Sequence, residues 1–141
     1  MLIWTEQFST GSPTIDWQHR QLFEHLNQLE GLLIRTNPSI EDIAIITQLL
    51  DFLENYIDTH FSYEERCMES YHCPAHQTNQ QAHKHFKQMF QHFKAQIKNK
   101  GYRFEMLIEL NQTINAWIEE HIMRVDTQLK PCLTPHGGLQ K

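Results

Sequence analysis

The chain has little of what would make it secreted, membrane-spanning or nucleic-acid-binding. Its 141 residues include three cysteines, Cys67, Cys73 and Cys132, an odd number with no CxxC pair. That usage argues against a disulfide framework and against a zinc knuckle, and the three are read as free thiols. Apolar runs are brief, Ile43 to Ile46 being typical, so no segment is expected to cross a bilayer. The opening Met1-Leu2-Ile3-Trp4-Thr5-Glu6 lacks the positive flank and long apolar stretch of a signal peptide, which makes a cytoplasmic location the expectation. Acidic and basic residues are interspersed around a net charge of -5, with no basic tract for nucleic acid and no acidic tail. Strand signals are few, and glycine and proline sit at the borders of longer periodic segments.

Those segments read as four helices. The first covers about residues 16–35, with Leu22, Phe23, Leu26, Leu29 and Leu33 at three- and four-residue steps. The second opens at Ser39, with Asp42 three residues on in a capping-box-like start, and runs to about residue 70. The third covers about 75–99, with Phe86, Phe90, Phe93 and Ile97 on one face and Gly101 as its stop. The fourth covers about 104–129, with Leu107, Leu110, Ile114, Trp117 and Ile118 inward, and Pro131 is expected to end it. The first fifteen residues are expected to be irregular. The length fits one all-α domain over 1–130 and a flexible tail or linker over 131–141. Short connections between helices of similar length favour an up-down-up-down four-helix bundle.

What the chain has in quantity is histidine, ten in all. On helical wheels His19 heads the buried stripe of the first segment, and His60 continues that of the second, with Glu64 one turn further on. His83 and His121 join the inward faces of the third and fourth. Buried imidazoles and carboxylates are costly without partners. One inward histidine is more often a satisfied core residue than a ligand. Four of them, with Glu64 and Asp126 close by, point to a cation, and imidazole plus carboxylate suits iron, zinc or manganese. His25, His72, His85, His92 and His136 fall off these faces and are read as surface side chains. His72 and His76 have the HxxxH spacing of a ligand pair, but Pro74 lies between them.

These positions carry a resemblance. From about Trp4 to Leu129 the chain resembles the bacterial hemerythrins (bacteriohemerythrins), whose pattern is a lone His, then HxxxE, HxxxH and HxxxxD. The matching residues are His19 within Ile15-Asp16-Trp17-Gln18-His19, His60 with Glu64, His83, and His121 with Asp126, flanked by Trp4 and Trp117. One element departs: four residues before His83 stands Asn79 instead of histidine.

The resemblance implies two iron ions bridged by Glu64 and Asp126. His19 and His60 would bind the iron that keeps an open position, and His83 and His121 the other. Asn79 would be a second-shell hydrogen bonder or weak oxygen ligand, with His76 the alternative, although seven residues before His83 is about 10 Å along a helix. Five residues turn a helix through about 500°, which sets Asp126 about 140° from His121, so a π-like bulge is expected between them. The implied function is to bind or sense O₂, with sensing favoured over carriage or storage because of the missing ligand. The bundle could also pass its state to a fused or interacting signalling domain. The alternative is a di-iron enzyme of peroxidase, oxidase or nitric-oxide reductase type, which would need a proton donor such as Tyr56, Tyr63 or Glu65.

Overall fold

The apolar stripes become helices α1 (Pro13–Leu33), α2 (Ile40–Ser70), α3 (His76–Lys100) and α4 (Phe104–Arg124) in the computed structural model, which describes residues 1–34, 39–101 and 103–133. Each helix packs on the next and α4 closes against α1, giving an up-down-up-down four-helix bundle with no strand among the described residues. No helix among them is long and apolar enough to cross a membrane.

Helix borders follow local chemistry. At α2 the Ser39 side chain accepts from the Asp42 amide at 3.1 Å, and the Asp42 carboxylate accepts from the Ser39 amide at 3.0 Å. Gly101 ends α3 with φ +82°, and its amide donates to the Ile97 carbonyl at 2.7 Å. Helix α1 starts three residues earlier than expected. Ser12 caps it by accepting from the Ile15 amide, and Pro13 takes the first helical position, where a missing N–H costs nothing. The residues before it are pinned rather than loose. Asp16 accepts from Ser9 Oγ and from both the amide and the hydroxyl of Thr10. Phe8, in a short 3-10 turn over Glu6–Phe8, meets Phe23 edge-on.

The end of the fourth segment corrects two expectations. Helix α4 stops at Arg124, a 3-10 turn covers Asp126–Gln128, and a short α5 (Leu129–Leu133) follows. Where a π-like bulge was expected between His121 and Asp126, the chain instead stays α-helical to Arg124, turns at Val125 and tightens only in the 3-10 turn that Asp126 opens. Val125 is stretched from ideal helical angles at φ -113° and ψ -55°, and Asp126 after it is buried. Pro131 does not stop a helix but lies in the first turn of α5, where amides have no intrahelical acceptor to lose. The expected domain border at 130 thus falls inside α5, and the expected tail beyond Leu133 lies outside the described residues.

The interior has three layers. A large apolar cluster, with Leu22, Leu53, Phe61, Phe86 and Ile118 among its members, fills most of the bundle. A smaller one joins Ile15, Met68, Cys73, Ala75, Leu129 and Cys132 at one end. Along α1, α2, α3 and the α4–α5 connection, the residues between these clusters are His19, Glu64, Asn79 and Asp126, all buried. A polar layer is thereby closed above and below by hydrocarbon.

Candidate metal centre

All four inward histidines turn Nε2 into this layer, where they meet two carboxylates. Glu64 divides its oxygens. Oε2 lies 3.4 Å from His19 Nε2 and 3.6 Å from His60 Nε2, while Oε1 lies 3.2 Å from His83 Nε2. Asp126 does the same, with Oδ2 3.2 Å from His19 Nε2 and Oδ1 3.0 Å from His121 Nε2. Two quartets result, His19–His60–Glu64–Asp126 and Glu64–His83–His121–Asp126, each with its donor atoms within 4.8 Å of one another. Each carboxylate turns one oxygen to each quartet, an arrangement in which one carboxylate can serve two cations.

The spacings suit a cation better than they suit hydrogen bonds. Donors on adjacent corners of an octahedron with bonds of about 2.1 Å stand about 3.0 Å apart. His19 Nε2, His83 Nε2, Glu64 Oε2 and Asp126 Oδ1 are buried without a hydrogen-bond partner. Buried polar atoms are normally satisfied, and four orphans converging on one place fit a cation-binding site.

The local field agrees. Burial pulls the His19 imidazole down, but the negative charge of the Asp126 and Glu64 carboxylates close to Nε2 outweighs it and raises its pKa to about 9. His83 is raised in the same way, against burial, by Glu64 and Glu65. Burial, reinforced by the neighbouring His19, drives His60 down to about 3. Burial pushes both carboxylates up, reinforced at Glu64 by the charge of Asp126, yet the surrounding imidazoles hold Glu64 and Asp126 below the usual range. The carboxylates thus keep their charge in a site closed to water, and they draw positive charge onto whatever stands between them.

Behind the imidazoles sit acceptors that fix their orientation. His60 Nδ1 is 2.7 Å from Gln18 Oε1, and His83 Nδ1 is 2.8 Å from Glu65 Oε2. A partner on Nδ1 leaves the Nε2 lone pair free to face inward. Phe61 stacks on His83 at 3.7 Å between centroids, and Trp117 stacks on His121 at 4.3 Å. Gln18 and Glu65 were not anticipated in this role. Each adjoins an inward residue in sequence (His19 and Glu64), and that adjacency is the only signal available.

The remaining histidines separate as expected, with one correction. His72, His85 and His92 are exposed. His25, expected at the surface, is half-buried, with its ring edge-on to Phe52 at 4.5 Å. His72 has φ +52° in the α2–α3 connection, so it shares no helix with His76, which opens α3 and joins neither quartet. Asn79 is fully buried in the layer. Its Nδ2 donates to Glu64 Oε1 at 2.9 Å, and its Oδ1 is 2.7 Å from His121 Nε2. His136 lies outside the described residues, and all three cysteines are free thiols.

Comparison with known proteins meets the same residues. Residues 10–133 match the Hemerythrin HHE cation binding domain family. The chain is 30% identical over 129 residues to a bacteriohemerythrin of Clostridium acetobutylicum, covering 91% of this chain and 98% of that one. It is 25% identical over 122 residues to a bacteriohemerythrin of Stenotrophomonas maltophilia, covering 86% and 74%, and 26% identical over 126 residues to one of Pseudomonas aeruginosa, covering 89% and 76%. A bundle with two carboxylate-sharing quartets and a match across nearly all of its described length have one reading: the chain belongs to the hemerythrin HHE cation binding domain family.

Proposed function

We propose that the chain holds two iron ions, one in each quartet, and binds O₂ there as a sensor rather than a store. The observation that carries this reading is the division of Glu64 and Asp126 between the quartets, with inward Nε2 and carboxylate oxygens left without partners. His19, His60, Glu64 and Asp126 would hold one ion, and His83, His121, Glu64 and Asp126 the other. Reduced iron supplies the electrons that O₂ accepts on binding; everything else is the protein's part. Phe23, Leu26, Phe61, Phe86, Ile118 and Ile122 are buried around the layer and keep water away from it. The candidate proton donors are engaged elsewhere. Glu65 faces His83 Nδ1, Tyr56 donates to the Gln18 carbonyl at 2.8 Å, and Tyr63 packs on the smaller apolar cluster. Binding therefore suits the site better than turnover that consumes protons.

The preference for sensing rests on Asn79, which takes a place where an imidazole would bind more strongly. A sensor would pass its state to a fused or interacting signalling domain. Metal analysis and absorption spectra, reduced and after O₂, test the reading. The expected result is two irons per chain and new near-ultraviolet charge-transfer bands, with an oxygenated form that decays within minutes in stopped-flow traces. A preparation without iron uptake would overturn the centre, and an oxygenated form lasting hours would overturn the sensor.

A further inference from the structure

We propose that the side-chain carbonyl of Asn79 is itself a ligand of the ion at His83 and His121, making that ion the weaker-bound of the two. The proposal rests on the two-ion reading above and adds a donor to it. The amide can face only one way. Glu64 Oε1 is an ionised acceptor, so the group 2.9 Å from it must be the N–H₂, which turns Oδ1 toward His121. Oδ1 lies 2.7 Å from His121 Nε2, close to the spacing of adjacent corners in a coordination octahedron. That contact is a hydrogen bond only while Nε2 carries a proton. An ion held by Nε2 takes the lone pair and removes the donor. The Asn79 oxygen, fully buried, is then left either unpartnered or bound to the same ion.

An amide oxygen is a poorer donor than imidazole, so the position it completes binds less tightly. The same position lies nearer to solvent. His121 is 7% exposed, against 1% for His19, 3% for His60 and 1% for His83. A surface pocket of about 400 Å³, lined by Thr78, Trp117, Glu120, Arg124 and Gln128, opens beside His121. The ion there should be the first to leave and the first exchanged.

The test is anaerobic Fe(II) binding to the metal-free 141-residue chain, in competition with a chromophoric chelator. The wild type should show a tight and a weaker ion. Asn79→Leu should weaken only the weaker one, by about tenfold or more. No change in either affinity would overturn the proposal. So would an equal loss at both, because Asn79 would then act only by orienting Glu64, which both quartets share. Asn79→Asp keeps an oxygen but loses the N–H₂, and it answers the question if the leucine variant does not fold. It should retain two ions with the weaker one tightened, and loss of that ion would overturn the assignment. Failure of the wild type to take up two ions would instead sink the two-ion reading itself.

Discussion

On the His19–His60 side of the polar layer the imidazoles are sealed from solvent and lightly backed. His60 leans on the neutral Gln18 side chain, and His19 Nδ1 has no hydrogen-bond partner. On the His83–His121 side the backing is stronger and the wall thinner. His83 leans on the charged Glu65, His121 stacks on Trp117, and a pocket opens beside it. The carboxylates are common to both sides, so the contrast comes from what stands behind the imidazoles. A carboxylate on Nδ1 makes an imidazole a better donor than an amide does. The side whose donor set includes an amide is thus the side whose histidine is reinforced.

The sharpest way to break the contrast is to remove what the sides share. Glu64→Ala should cost both ions together, by more than about a hundredfold each, beyond what losing an outer partner causes. Metal content after gel filtration reads this directly, and retention of one ion would show that Glu64 serves a single quartet. Chelation comes next. Ions that bind only the folded chain stabilise it by about 2.7 kcal/mol each when free ion stands a hundredfold above Kd. Stripping them should lower Tm in two steps as chelator strength rises, and one step would mean that the sides are equivalent. Glu65→Gln makes the backing of His83 like that of His60. It should weaken the ion at His83 and His121 by about tenfold and leave the one at His19 and His60 alone, whereas Gln18→Leu should shift the His19–His60 ion by less. Competition titration checks both.

The smallest effect concerns Tyr56, which supports the His19–His60 side through its hydrogen bond to the Gln18 carbonyl. Burial raises its phenol from 10.0 to about 12. The unfolded chain therefore loses this proton first, and its contribution to stability declines as pH rises from about 10 toward 12. Tyr56→Phe should flatten that part of the alkaline stability curve, measured by denaturant melts.

Much of this was legible in the sequence because helical periodicity is a strong constraint. The steps from Leu22 to Leu33 and from Phe86 to Ile97 set the faces, and once these are set His19, His60, His83 and His121 must point inward. The capping of α2 is equally local. What eluded sequence reasoning depends on tertiary packing. The turn at Val125 that places Asp126 goes together with the seating of Leu129 and Cys132 in the smaller cluster, and no local signal in α4 announces this. Pro131 reads as a stop when only the preceding residues are considered, and as a start once α5 is seen. Gln18 and Glu65 matter through histidines on other helices, which a wheel drawn for one helix cannot display. The early start of α1 is itself legible in Ser12-Pro13, a capping serine followed by a first-turn proline.

The seating of Leu129 and Cys132 has a mechanical result. Docked in that cluster, these two side chains hold the turn that carries Asp126 beside His19 and His121. The segment works as a latch. Displacing Leu129 or Cys132 from the cluster would therefore pull on a carboxylate that both quartets share.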